Sequence, residues 1–186
     1  MKPIVIVPEK VLFTPAQPVP AIDAKIKTIL KDMKEALLAA HDPKGVGLAA
    51  PQIGVNLRMF CLKATSSSPV EFFLNPQILT SAPTTAHKNP QDSPRGEAGP
   101  PLEGCLSIPN TWGFVERNSS VILKFTNEKN QTKTREFTGF HAIIIQHEMD
   151  HLEGILFTQR VLEQGHKLYE IIKNKQGKET LKELPL

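Results

Sequence analysis

A chain of 186 residues, 40% of them apolar, is enough to bury one core, so a single domain over 1–186 is expected. The net charge of +3 is spread along the sequence, with an excess only from Lys167 to Lys182, and gives no reason to invoke DNA as a partner. No stretch approaches a membrane span, and Met1 to Val7 has the pattern of neither a signal nor a transit peptide, so a reducing cytoplasm is the expected setting.

Five prolines in residues 1–20 predict an extended arm laid over the body. Ile22, Ile26, Ile29, Leu30, Met33 and Leu37 recur at helical spacing, so Ala21 to Ala40 should be an amphipathic helix ending near His41-Asp42-Pro43. Next comes Gly45-Val46-Gly47-Leu48-Ala49-Ala50-Pro51-Gln52-Ile53-Gly54, whose glycines allow the backbone close to a ligand. It lacks the Gly-Lys-Ser/Thr ending of a phosphate loop, and no helix signal follows it. Arg58 to Lys63 and Glu71 to Leu74 read as strands around a Ser-rich turn, Thr65 to Pro69. Thr80 to Pro101 reads as a long, mobile surface loop, and His87 within it as a solvated residue.

Glu103-Gly104-Cys105-Leu106-Ser107 forms a glycine-bearing turn, and Ser119 to Phe125 and Lys133 to Phe137 alternate as paired strands around the turn Asn127 to Asn130. Thr138-Gly139 offers a cap for a helix from Phe140 to about Leu152, with Gly154 just beyond it. Val161 to about Lys175 reads as a last helix, with Leu162, Leu168 and Ile171 or Ile172 as its buried stripe, before a polar tail. Short strands without a regular strand-helix alternation predict an α+β fold, with small, mostly antiparallel sheets packed around the Phe140 to Leu152 helix.

Within that helix, Gln146-His147-Glu148-Met149-Asp150-His151 puts two imidazoles one turn apart on one face. Both can reach one metal ion while Glu148 holds a water. The same five-residue pattern also occurs on helices that bind nothing, so a third ligand matters. A metzincin would place a histidine where Phe157 stands. Glu170 is far enough along to serve as in a zinc endopeptidase, but its neighbours read as core. Cys105 is the better candidate, because a thiolate is a stronger ligand and its turn could present it. Cys61, in a buried strand, reads as an inert small hydrophobe, and a Cys61–Cys105 disulfide would need an oxidising compartment.

Three segments in order, Gly45 to Gln52, Glu103 to Ser107 and Gln146 to His151, are similar to the motifs of peptide deformylase, and the likeness runs from the helix before Gly45 to Phe157. The resemblance implies removal of the formyl group from N-formylmethionyl peptides. It implies Cys105, His147 and His151 as metal ligands, with Fe2+ as the ion in the cell and Zn2+, Ni2+ or Co2+ in purified samples. Glu148 matches the carboxylate that takes a proton from the metal's water and delivers it to the leaving amine. Gln52 and the backbone N–H of Leu106 match the donors to the developing oxyanion, whose individual loss typically costs about 100- to 1,000-fold in rate. Val46, Phe140, Ile143 and Ile144 match the methionine pocket, with Gly45 and Gly47 beside it. Glu103 and Arg117 match a structural ion pair.

Two segments depart from the family's pattern. Thr80 to Pro101 is longer and richer in proline, and the arm carries Val11-Leu12-Phe13-Thr14 where the common pattern ends in Leu-Arg. The competing readings are a zinc endopeptidase using Glu170 and an inactive protein that binds peptide N-termini. The basic C-terminal tail offers a contact to the ribosome, against the plainer reading of a solvated helix and frayed end.

Overall fold

The computed structural model describes residues 2–41, 44–65, 67–82, 102–173, 177 and 179–185. Helix α1 (Ala24–Ala39) starts later than expected because Asp23 caps it, its carboxylate accepting from Ile26 N at 2.8 Å. Its buried face, Ile26, Ile29, Leu30, Met33, Ala36 and Leu37, packs behind Leu48, Ala50 and Ile53 of the glycine-rich segment. That contact gives the backbone of the glycine-rich segment a rigid backing.

Strands β1 (Gly47–Ala49), β2 (Met59–Leu62), β3 (Glu71–Ala82), β6 (Ser120–Thr126) and β7 (Thr132–Thr138) form an antiparallel sheet in the order β1-β2-β3-β6-β7. A second sheet runs β4 (Leu102–Cys105), β5 (Ile108–Phe114), β8 (Leu168–Lys173), β9 (Glu179–Glu183), again antiparallel. Strand β3 extends beyond the expected Leu74, passing Asn75-Pro76 with a shift of register, Asn75 at φ 49°. It takes in the start of the expected loop. The rest of that loop, 83–101, and His87 with it, lies outside the described residues.

Helix α2 (Gly139–Leu152) packs on the first sheet, where Phe60, Phe73, Phe125 and Phe137 cluster at ring separations of 4.7, 4.6 and 5.8 Å around Phe73. Ala142, Ile145, Met149 and Leu152 close the same core from the helix side. Thr138 holds the N-cap position with extended backbone, but its side chain makes no capping hydrogen bond, contrary to the expected cap. The other end is closed by backbone: Gly154 at φ +72° donates to His151 O at 3.2 Å, and Ile155 N to Asp150 O at 2.9 Å. A side chain at Gly154 would come 2.7 Å from the Phe13 carbonyl carbon, so glycine is also what lets the N-terminal arm lie there.

The arm is not wholly extended. Lys10–Phe13, free of proline, makes a turn of 3-10 helix that buries Leu12 completely. Elsewhere its backbone ties separate elements together, Val5 N to Gln52 O at 2.8 Å, Val7 N to Ser107 O at 3.1 Å and Ala16 N to Leu152 O at 2.8 Å.

The expected helix from Val161 to Lys175 is corrected. Helix α3 (Phe157–Glu163) ends at Gln164-Gly165, Gly165 having φ +74°, and Leu168 to Lys173 is strand β8, Tyr169 facing Trp112 and Leu168 facing Gly113 of β5. Leu162 and Ile172, assigned to a buried stripe, are exposed, and Lys175 lies outside the described residues. The reason is that the aromatic and β-branched run Leu168-Tyr-Glu-Ile-Ile gains sheet hydrogen bonds from an otherwise unpaired β5 edge, which helical pairing inside the segment would forgo.

Candidate active site

Four-residue spacing on α2 brings the His147 and His151 rings to 5.1 Å, and the β4–β5 turn carries Cys105 to them, its Sγ 3.2 Å from His151 Nε2. Ligand atoms of these three residues all lie within 4.8 Å of one another. Glu170 is on β8 opposite Lys182 and does not join the group. Cys61 and Cys105 are both buried and both free. Burial would raise the Cys105 thiol, but the charge of His151 and hydrogen bonds from His147 and His151 bring it down to about 5, in the thiolate range.

A divalent metal ion fits this donor set. A soft thiolate with two imidazoles suits a transition metal, and three protein ligands leave a position open for water. Beside them, Glu148 Oε2 is buried with no hydrogen-bond partner among the described residues, a state that is costly unless a further polar group arrives. Burial pushes the Glu148 carboxyl up to about 7, only partly opposed by the charges of His147 and His151. Its Oε1 lies against Gly47, where an added Cβ would collide with that oxygen and come 2.8 Å from Ile144 Cγ2. Glycine is therefore required at 47 for the strand to approach the helix.

Glu103 orients His147. Its Oε2 is 2.9 Å from His147 Nδ1, which leaves Nε2 as the ring nitrogen available to a metal ion. Arg117 donates to the same carboxylate in a fork, Nε to Oε1 at 2.8 Å and Nη2 to Oε2 at 2.9 Å, and through Nη1 to Asp150 Oδ2 at 2.5 Å. Arg160 on α3 donates to Asp150 Oδ1 at 2.8 Å. Burial acts to raise the Glu103 carboxyl, but the charge and hydrogen bonds of Arg117, with the bond from His147, hold it down at about 2. Sequence reasoning found Glu103 and Arg117 but missed Asp150 and Arg160. A carboxylate at the third position after His147 was the available signal, since it lies on the histidines' side of the helix.

Gln52 sits in a 3-10 turn, Ala50–Ile53. Its Oε1 accepts from Ala49 N at 2.8 Å, which fixes the amide so that Nε2 points to Cys105 Sγ at 3.4 Å and Ser107 Oγ at 3.3 Å. A donor is thus held at the Cys105 turn. Leu106 lies in that same turn.

These elements enclose a cleft of about 300 Å³. Gly45, Val46, Gly47, Gln52, Cys105, Leu106, Phe140, Ile143, Ile144 and His147 all line it, so the structure brings together the segments the sequence singled out. Glu148 and His151 are almost wholly buried and stand outside the cleft lining. Phe140 is half exposed at the cleft, whereas Ile143 and Ile144 are buried, so the isoleucines serve as core and as pocket wall together. Lys44, Leu102 and Trp112 also line the cleft and were not anticipated.

The family model for polypeptide deformylase matches residues 1–167, ending one residue before β8. Peptide deformylase 1 of Bacillus cereus is 40% identical over 154 residues, covering 83% of this chain and 88% of its own. Peptide deformylase 1 of Bacillus subtilis is 37% identical over 161 residues, covering 87% and 90%. Among solved structures, the peptide deformylase of Thermotoga maritima superposes with a TM-score of 0.73 at 31% identity over 87% of this chain and 97% of that one. A class I type b peptide deformylase from Acinetobacter baumannii, bound to Met-Ala-Ser, gives 0.71 at 29% identity over 87% and 98%. The family match spans the cleft-lining strands and helix α2, and the chain belongs to the polypeptide deformylase family, hydrolases that remove the formyl group from the N-terminal methionine of newly made polypeptides.

Proposed function

We propose that Cys105, His147 and His151 hold the metal and that Glu148 is the proton carrier of deformylation. The observation that carries this is the buried, unpartnered Glu148 Oε2 beside the three converging donors. A divalent ion bound there supplies Lewis acidity and makes a water ionisable near neutral pH. Glu148 then takes a proton from the attacking water and passes it to the α-amine of methionine as formate leaves. A carboxyl at about 7 suits both halves of that task, being basic enough to accept the proton and acidic enough to return it. Gln52 Nε2 and the Leu106 N–H donate to the formyl oxygen as it gains charge. Gln52 is already fixed by Ala49 N, so no reorganisation is needed during the reaction.

Val46, Phe140, Ile143 and Ile144 receive the methionine side chain, whose burial is worth about 1.5 to 3 kcal/mol. The peptide runs between the sheets. Strand β1 ends one sheet and β4 ends the other, and residues of both line the cleft, so an extended peptide can pair with these edges, which are unpaired among the described residues. Met-Ala-Ser is a peptide of the required kind in the Acinetobacter relative.

The ion we assign is Fe2+, in a cytoplasmic setting, with Zn2+, Ni2+ or Co2+ as substitutes. We also assign the C-terminal hairpin as a ribosome contact. Its basic residues are partly matched by acidic ones, Lys167 to Glu183 at 2.8 Å and Lys182 opposite Glu170, so binding should be weak and strongly salt-dependent. Co-sedimentation with ribosomes at low and high salt tests this, and salt-insensitive or absent binding overturns it. For the chemistry, formate release from formyl-Met-Ala-Ser, with casein digestion alongside, is decisive. Casein cleavage without formate would favour an endopeptidase.

A further inference from the structure

Gln52 and Leu106, the two donors assigned to the formyl oxygen, stand on different parts of the fold. Gln52 follows β1 of the first sheet, and Leu106 lies in the β4–β5 turn of the second. Among the described residues no strand of one sheet pairs with a strand of the other, so no backbone ladder sets the distance between them. An oxyanion site nevertheless works only if its donors converge on one point.

The N-terminal arm spans that seam. Val5 N donates to Gln52 O at 2.8 Å, and Val7 N to Ser107 O at 3.1 Å. Gln52 and Ser107 are 2% and 0% exposed, where a carbonyl left without a donor is costly. Ile6, between them, is exposed and donates no backbone hydrogen bond among the described residues. The side chains straddle the same seam. Ile4 packs on the cluster that holds Ala50 and Ile53, whereas Val5 and Val7 pack on the one that holds Cys105 and Ile108. Leu12, completely buried in that second cluster, anchors the arm beyond them.

We propose that the arm is a brace that sets the spacing of the two oxyanion donors, Val5 acting through Gln52 and Val7 through the Cys105 to Ser107 turn. Positions 5 and 7 are then positioning residues for the chemical step, although neither lines the cleft. This rests on the reading of Gln52 and Leu106 as donors given above.

Proline substitution in the full-length, metal-loaded protein removes one N–H at a time. Val5→Pro and Val7→Pro should each lower kcat on formyl-Met-Ala-Ser about 10- to 100-fold, the scale of a small misplacement of reacting groups. KM and metal content should stay near wild type, because a donor to the developing oxyanion acts in the transition state. Ile6→Pro, which removes an N–H of no structural use, should keep wild-type kcat. A loss of stability alone would not respond to the background, so Val5→Pro is repeated in Gln52→Ala. There its effect should shrink to within about twofold, since residues acting through one group are not additive. A loss that persists undiminished in Gln52→Ala, or an equal loss in Ile6→Pro, overturns the brace.

If the proline variants fail to fold, the wild type still decides through amide hydrogen exchange of its zinc-loaded form. Formate bound at the donors should slow exchange at Val5 and Val7 more than at Ala16, whose bond to Leu152 O ties the arm elsewhere, because coupling between two sites is reciprocal. Equal changes at the three amides count against the proposal. Gln52→Ala by itself separates the two readings. An unchanged kcat there would remove Gln52 as a donor, whereas an impaired Gln52→Ala beside a silent Val5→Pro speaks against the arm alone.

Discussion

Glu103 reaches His147 and Arg117 with one carboxylate, its Oε2 2.9 Å from Nδ1 of the imidazole while the guanidinium forks both oxygens. The orientation of the His147 ring is thereby tied to a buried cation that Asp150 also shares. Replacing Glu103 by glutamine keeps the shape but removes the charge. Metal affinity should fall about 10- to 100-fold, the usual cost of losing such an outer partner. Competition with a chromogenic chelator measures this, and an affinity within twofold of wild type would remove Glu103 from the orienting role.

The same pair sets a pH limit. The Glu103 carboxyl is lowered from an ordinary 4.5 to about 2, so its stabilisation is complete above about 4.5 and is lost as pH falls toward about 2. A loss of a few kcal/mol is expected over that window. Urea midpoints at stepped pH should show it in wild type and not in Glu103→Gln. A midpoint that is flat across the window in wild type refutes the reading.

Glu148 carries the opposite sign. Its carboxyl is raised to about 7, so in metal-free protein it costs nothing below about 4.5 and destabilises increasingly as pH rises through about 7. Metal-free Glu148→Gln should therefore be more stable than metal-free wild type at pH 8, by an amount that vanishes near pH 4.5. Equal melting temperatures at pH 8 would show that the carboxylate is not strained by its burial.

Activity and metal binding should separate by residue. Glu148→Ala is expected to keep the ion and lose at least about 100-fold in kcat, as for other general acid-base groups. Cys105→Ala, lacking one of three ligands, should lose both. Metal content after gel filtration distinguishes them, and equal metal loss in the two variants would make Glu148 a ligand.

Metal identity is accessible through oxidation. With Fe2+ bound, peroxide should inactivate the protein, since both the iron and the Cys105 thiolate can be oxidised. The zinc-loaded form should survive longer, because zinc has no redox chemistry. Equal rates of inactivation would place the damage on the protein alone.

The local parts of the site were legible in the sequence. The spacing of His147, Glu148 and His151 fixes their common helix face through the 3.6-residue repeat, and Gly45 to Gly54 announces a backbone that must come close to something. The core helices α1 and α2 followed from the same periodicity. What the sequence left open was partnership between distant segments. Cys105 joins the two histidines because the β4–β5 turn meets α2, and Glu170 stands apart because β8 carries it to a position opposite Lys182. Leu168 to Lys173 is compatible with helix or strand over so short a run, and the free edge of β5 decides for strand. Arg160 enters the network only where α3 docks beside Asp150, and Trp112 becomes part of the cleft only because Gly104, its partner across the hairpin, has no side chain. Spacing along a helix is set by covalent geometry and can be read directly. Which strand edge, turn or side chain it meets is set by the packing of the whole core, and only the tertiary structure decided that.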